Sequence, residues 1–184
     1  MAPQLSGKRL ELLKEAVPSI TRVAAIWDVS DQVMAREYGE TLVGAEALGI
    51  EVQNLGVRTS ADLDGAYEVA SSGRVDGVVL IRNPLISSNR TRLVELAARS
   101  RLPTISGDYT FAGAGGLMSY GPNTVNQARR AAYYVDRILK GTSPADLPVE
   151  QPMRFEFVIN AKTAQALGLT IPPHVLLQAT EVIQ

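Results

Sequence analysis

Residues 22–57, RVAAIWDVSDQVMAREYGETLVGAEALGIEVQNLGV, decide the fold. The run RVAAIWD (22–28) is almost continuously apolar and too short for a helix, which reads as a strand buried on both faces. Asp31 stands where a helix N-cap belongs, and Met34, Tyr38, Leu42, Ala45 and Leu48 recur at the helical period until Gly49 ends the pattern. EVQNLGV (51–57) is a second strand. A strand, a helix of ordinary length and another strand make a βαβ unit, which predicts parallel pairing with a right-handed crossover.

The same alternation extends in both directions. Upstream, Lys8 to Ala16 carries Leu10, Leu13 and Val17 on one helical face, with Pro18 as the stop. Downstream, Asp62–Ser72 is amphipathic through Leu63, Ala66, Tyr67 and Ala70 and closes at Gly73. GVVLIRN (77–83) is the most strand-like segment, a helix follows Pro84 from Asn89 to Ser100, and PTISGD (103–108) is a fourth strand. The fold class is therefore α/β, a doubly wound and mostly parallel sheet flanked by helices on both faces. After GLMSYGPN the pattern changes to a long helix (124–139), a Gly- and Pro-containing link, a strand-like RFEFVIN (154–160) and a short helix (161–167). In the ending, GLTIPPHVLLQATEVI, Pro172 and Pro173 read as breakers, leaving an irregular tail with one short extended piece.

Composition narrows the function classes. The 184 residues are 46% hydrophobic and 20% charged, and 18 Lys and Arg against 19 Asp and Glu leave a net charge of −1, so no basic surplus exists to neutralise phosphates and nucleic acid is not an expected partner. Cysteine is absent, which removes disulfides, thiolate chemistry and Cys-type zinc sites. The apolar runs fall well short of the roughly 20 residues a membrane span needs, so the chain reads as soluble. The first residues, MAPQLSGKRLELLKEAVPS, hold no apolar h-region, so no export signal is expected in this stretch, which reads as that of a cytosolic protein or of a chain beginning downstream of its signal.

Open α/β sheets bind ligands outside the carboxyl ends of their strands, which nominates WDVSDQ (27–32), RNPLISS (82–88) and GDYTF (107–111). Trp27 is either core filler or a stacking wall for a ligand. Asp28, Asp31 and Asp108 suit general acid–base work or a cation, while Asp31 as a cap and Asp28 as a loop hydrogen-bonder are the structural alternatives. Asn83 before Pro84 offers an amide that both donates and accepts at a rigid strand end, or simply forms the turn. The glycine cluster AGAGG (112–116) fits no phosphate-binding pattern, and the single His174 has no second His or Cys at ligand spacing, so neither cofactor nor metal is expected.

Three stretches carry a resemblance: LSGKRLELLKEAVPSITRVAAIW (5–27), GGLMSYGPN (115–123) and RRAAYYVDRILKGTSPADLPVEQPMRFEFVINAKTAQALGLTIPP (129–173). Together they resemble the substrate-binding proteins of ABC transporters, a family that includes tryptophan- and other small-solute-binding members and is similar to type I periplasmic binding proteins. The resemblance implies two α/β lobes joined by three hinge strands, closing on a small solute and delivering it to a membrane permease, with no catalysis and no cofactor. It implies that residues 1–119 and 149–184 form the second lobe, that 120–123 is a hinge, and that the helix within 120–148 belongs to a first lobe not contained in this chain. The full-length protein would then be periplasmic, or extracellular and lipid-anchored.

By the same resemblance the solute contacts fall on Trp27, Asp28, Ser30, Asp31, Gln32, Asn83, Pro84, Gly107, Asp108 and Tyr109. Where relatives often carry Asn after the Trp and Asp before the Pro, this chain has Asp28 and Asn83, which leaves the polarity of the solute open. The helix at 124–139 presents Val125, Ala128, Ala132, Val135, Ile138 and Leu139 with no first-lobe sheet to cover them, so a homodimer through this helix is expected of the chain alone. Two other readings compete: the ligand-sensing domain of a transcription regulator, which shares the two-lobe fold, and a small α/β enzyme using Asp28, Asp31 and Asp108.

Overall fold

The computed structural model describes residues 3–150 and 154–184; residues 1–2 and 151–153, which fall within the expected second lobe, lie outside them. In chain order the elements are α1 (Pro3–Ala16), β1 (Arg22–Asp28), α2 (Gln32–Ala47), β2 (Glu51–Val57), α3 (Asp62–Ser72), β3 (Gly77–Leu80), α4 (Pro84–Ser88), α5 (Arg90–Ser100), β4 (Thr104–Ser106), β5 (Met118–Pro122), α6 (Thr124–Leu139), a 3₁₀ turn (Pro144–Asp146), β6 (Phe155–Asn160), α7 (Ala161–Ala166), α8 (Pro173–Gln178) and β7 (Glu181–Ile183). No described helix is long and apolar enough to cross a membrane.

The strands form one seven-stranded sheet in the order β2-β1-β3-β4-β5-β6-β7. All pairs are parallel except β5–β6, which run antiparallel with Tyr120 opposite Phe157. The expected doubly wound, mostly parallel α/β fold is therefore present. The chain leaves β1 outward to β2 and returns to the other side of β1 as β3, so the winding direction reverses between β1 and β3.

Two apolar cores follow from strand alternation. On one face Val23, Val79, Ile105 and Met118 pack under Leu10 and Leu13 of α1, Ala45 of α2 and Val175 of α8. On the other, Ala24, Ile26, Val78 and Leu80 meet Leu63 and Tyr67 of α3 and Leu93 and Leu96 of α5. Leu10 and Leu13 are fully buried, each stabilising the fold by roughly 2 kcal/mol through lost apolar surface. Gly49 ends α2 as expected, at φ +64°, where a side chain would be strained.

Several boundaries differ from the sequence reading. β3 stops at Leu80, because Asn83 already caps a short helix: its Oδ1 accepts the Ile86 N–H at 3.0 Å and Pro84 takes the first helical position. β5 is a full strand where only a hinge from Tyr120 was expected, and β4 is shorter than residues 103–108. The tail is not irregular: Pro173 starts α8 instead of breaking it, since proline lacks only an N–H that the first helical turn leaves free, and His174 is exposed on this helix. β7 is the short extended piece.

α6 differs from every other long helix in burying nothing. Asn123 caps it, accepting the N–H groups of Val125 and Asn126 at 3.0 and 3.2 Å, but Val125, Val135, Ile138 and Leu139 stay exposed, Leu139 at 82%. Its polar side is organised by Arg130, which pairs with Glu150 and lies 4.3 Å from the ring centre of Tyr133.

Candidate functional site

The carboxyl ends of β1, β3, β4 and β5 share one edge of the sheet, and three of the loops leaving it are tied down by a side chain at the strand end. At β1, Asp28 accepts the Ser30 N–H at 2.9 Å and the Ser30 hydroxyl at 2.5 Å, and its second oxygen accepts Asn83 Nδ2–H at 2.7 Å. At β3, Asn83 spends its other end on the cap of α4. At β4, Asp108 accepts the Thr110 N–H at 3.1 Å and hydroxyl at 2.7 Å, and its other oxygen lies 3.3 Å from Arg90 Nη1. Asp28-x-Ser30 and Asp108-x-Thr110 are thus the same local device used twice.

Both carboxylates are held ionised. The Ser30 hydroxyl, opposed by burial and reinforced by the Ser30 N–H, Asn83 and Arg58, keeps Asp28 below the usual carboxylate range. Burial pushes Asp108 up, but the two Thr110 bonds with the charges of Arg90 and Arg82 outweigh it and leave the group lowered. Since Asp28, Asn83 and Asp108 are all buried and bonded within the protein, they position their loops more than they reach outward.

The remaining nominated residues divide by exposure. Asp31 caps α2, accepting the Val33 N–H at 2.9 Å, so the cap reading holds while the residue stays at the rim. Ser30, Gln32 and Pro84 are exposed, and Tyr109 is half-buried. Trp27 is 8% exposed: its indole stacks on Tyr38 at 4.9 Å and donates Nε1–H to Asn54 at 2.8 Å, next to Met34 and Ile81. It lines the underside of the β1 loop as packing. Gly107 is bare for a local reason, because a Cβ there would lie 2.9 Å from the Arg9 guanidinium carbon, and one on neighbouring Gly121 only 2.3 Å from the Gly107 carbonyl oxygen.

Sequence reasoning missed several residues on this edge. Arg9 of α1 is 3% exposed, donates Nε–H to the Tyr120 carbonyl at 3.0 Å and pairs with Glu37 of α2. Arg82 follows β3 at the head of the nominated stretch 82–88 but was not singled out within it, and Arg90 opens α5. An open depression of about 450 Å³ lies beside Tyr109, bordered by Arg90, Thr110, Asn123 and Glu156, with Asn123 donating to Glu156 at 3.1 Å across β5 and β6. No local signal marks Glu156 or Asn123, since only strand pairing brings them here. Among the described residues no group of three or more His, Cys, Asp or Glu side chains gathers at metal-binding distance, and Asp28 and Asp108 are held by separate partners.

Comparison with known proteins fixes the family. The family model of the ABC transporter substrate binding protein matches residues 4–183. The chain belongs to this family. Among relatives, it is 24% identical over 162 residues to a tyrosine-binding protein of Clostridioides difficile, covering 88% of this chain and 47% of that protein. Among solved structures it is similar to the ABC domain from Streptococcus pneumoniae in complex with L-Trp, at 28% identity and a TM-score of 0.87, covering 97% of this chain and 60% of that one. A conserved domain protein from Vibrio cholerae gives the same TM-score at 23% identity, over 96% of this chain and 60% of the other. The chain therefore spans about half the length of the curated relative and three-fifths of the solved ones.

Proposed function

We propose that residues 1–119 and 149–184 form the second ligand-binding lobe of the solute-binding component of an ABC importer, with residues 120–148 supplying a hinge and a helix that packs on a first lobe. The observation that carries this reading is the pairing of a loop edge braced by Asp28, Asn83 and Asp108 with a helix, α6, that buries none of its residues in this lobe. The solute sits between the lobes, against the loops bearing Trp27–Gln32, Asn83–Pro84 and Gly107–Tyr109. Contacts with both lobes favour the closed state, and closure excludes water without chemistry. The solute class is amino-acid-like, supported by the tyrosine- and tryptophan-associated relatives. The partner is a membrane permease, and the complete protein works outside the cytoplasm, in the periplasm or on a lipid anchor.

The test is a thermal-shift screen of the full-length protein against free amino acids and small polar metabolites. One solute class that raises the melting temperature of the full-length protein, with little effect on the 184-residue chain, supports the reading. A full-length protein that none of them stabilises overturns it.

A further inference from the structure

Three arginines lie around the β4 loop: the Arg9 guanidinium and the Arg82 Cβ stand against Gly107, and Arg90 reaches Asp108. Two of the three are directly paired. Arg9 pairs with Glu37, and Arg90 with Asp108 and Thr110. The third, Arg82, makes no ion pair or side-chain hydrogen bond among the described residues, although it is half-buried. Its backbone is held from both sides: Ile81 is fully buried against Trp27 and Met34 and donates its N–H to the Ile26 carbonyl at 3.1 Å, and Asn83 is bonded to Asp28 and to α4. Arg82 thus follows the strand at which the sheet's winding reverses, the position where open α/β sheets receive their ligands.

We propose that Arg82 is the specificity-determining residue that takes a carboxylate of the solute. The inference rests on the solute-binding reading above and goes beyond it by naming the group recognised and the side chain that recognises it. The two nearby acids already have direct partners, Asp28 in Ser30 and Asn83 and Asp108 in Thr110 and Arg90, so that Arg82 acts on Asp108 only through its charge and its own donors are unspent. Closing a lobe over this edge removes water from the guanidinium, and a charge desolvated without a partner is costly. A carboxylate brought by the solute supplies that partner in the planar, two-pronged geometry that arginine offers. The exposed Ser30 and Gln32 on the neighbouring loop then face the remainder of the solute.

The experiment uses full-length protein and calorimetric titration with the tightest-binding of the free amino acids and with its primary carboxamide, which keeps shape and removes the negative charge. Wild type is expected to prefer the acid by at least tenfold. Arg82→Gln is expected to lose roughly 10- to 100-fold in affinity for the acid and to keep the carboxamide nearly unchanged, and Arg82→Lys to recover part of the loss. Equal wild-type affinity for acid and carboxamide overturns the assignment without using any variant. Equal loss of both ligands in Arg82→Gln also overturns it, placing Arg82 in lobe closure instead. A wild type that binds no free amino acid overturns both this assignment and the amino-acid reading beneath it.

Discussion

Asn83 Nδ2–H donates to Oδ2 of Asp28 at 2.7 Å, joining the ends of β3 and β1 at the point where the sheet reverses its winding. The family resemblance implies that relatives often carry Asn at position 28 and Asp at position 83, and this chain has the two exchanged. Contact between the two side chains explains how such an exchange is tolerated: one carboxylate still faces one amide. Asp28→Asn sets two amides face to face, and Asn83→Asp sets two carboxylates together. Each single change is expected to destabilise the protein by about 1–3 kcal/mol, and the double exchange to recover much of the loss. Urea unfolding of the four proteins measures the coupling, and strictly additive effects would refute the pairing.

Acid should weaken the fold through the same posts. Asp28 and Asp108 sit below their ordinary carboxylate pKa in the folded protein, so the unfolded chain binds more protons near and below about pH 4. Their contribution is present above the unfolded pKa and is lost as pH falls through the lowered folded one. Asp76 adds to it: burial pushes its carboxyl up, but the N–H groups of Thr21 and Arg22 outweigh that and lower it. Unfolding midpoints measured from pH 6 down to pH 3 should decline for wild type and decline less steeply for Asp108→Asn.

Gly121 should not tolerate a methyl group. A Cβ at this position would stand 2.3 Å from the carbonyl oxygen of Gly107, backbone against backbone, with no flexible side chain to yield. Gly121→Ala is expected to cost about 2 kcal/mol or more, through displacement of β5 from the β4 loop. For a chain of this size that corresponds to a loss of roughly 4 °C or more in melting temperature. Gly39→Ala, where nothing lies within 4 Å of the added carbon, is the matched control and should be neutral or slightly stabilising.

The 184-residue chain on its own should self-associate through α6. Val125, Val135, Ile138 and Leu139 are exposed on it, and no described part of the chain covers them. Light scattering at micromolar concentration is expected to give about twice the 19.8 kDa chain mass, and Val135→Glu with Leu139→Glu to return a monomer. A monomeric wild-type chain would remove this interface.

Apart from the five-residue α4, the elements of the first hundred residues were legible, as was α6, because each carries its own period. RVAAIWD and EVQNLGV have the bounds read from the sequence, and so do α3 and α6. Boundaries failed where one side chain decided them. Asn83 diverts the chain into α4 and shortens β3, and Pro173, read as a breaker, opens α8. The candidate site was legible as a set of strand ends, but the hydrogen-bond partners of each residue there were not. The carboxylates and the amide were nominated as solute contacts, yet their own hydrogen bonds consume most of their capacity.

What the sequence by itself determined is therefore local: helical and strand periods, the parallel winding they impose, and the edge where loops collect. Tertiary structure alone decided which charges on that edge are already satisfied. Glu37 reaches Arg9 across 28 residues and Asn83 reaches Asp28 across 55. Whether a guanidinium such as Arg82 is left without a direct ion pair is thus set by partners remote in the chain, because an ion pair depends on distance in space and leaves no periodic trace in the sequence.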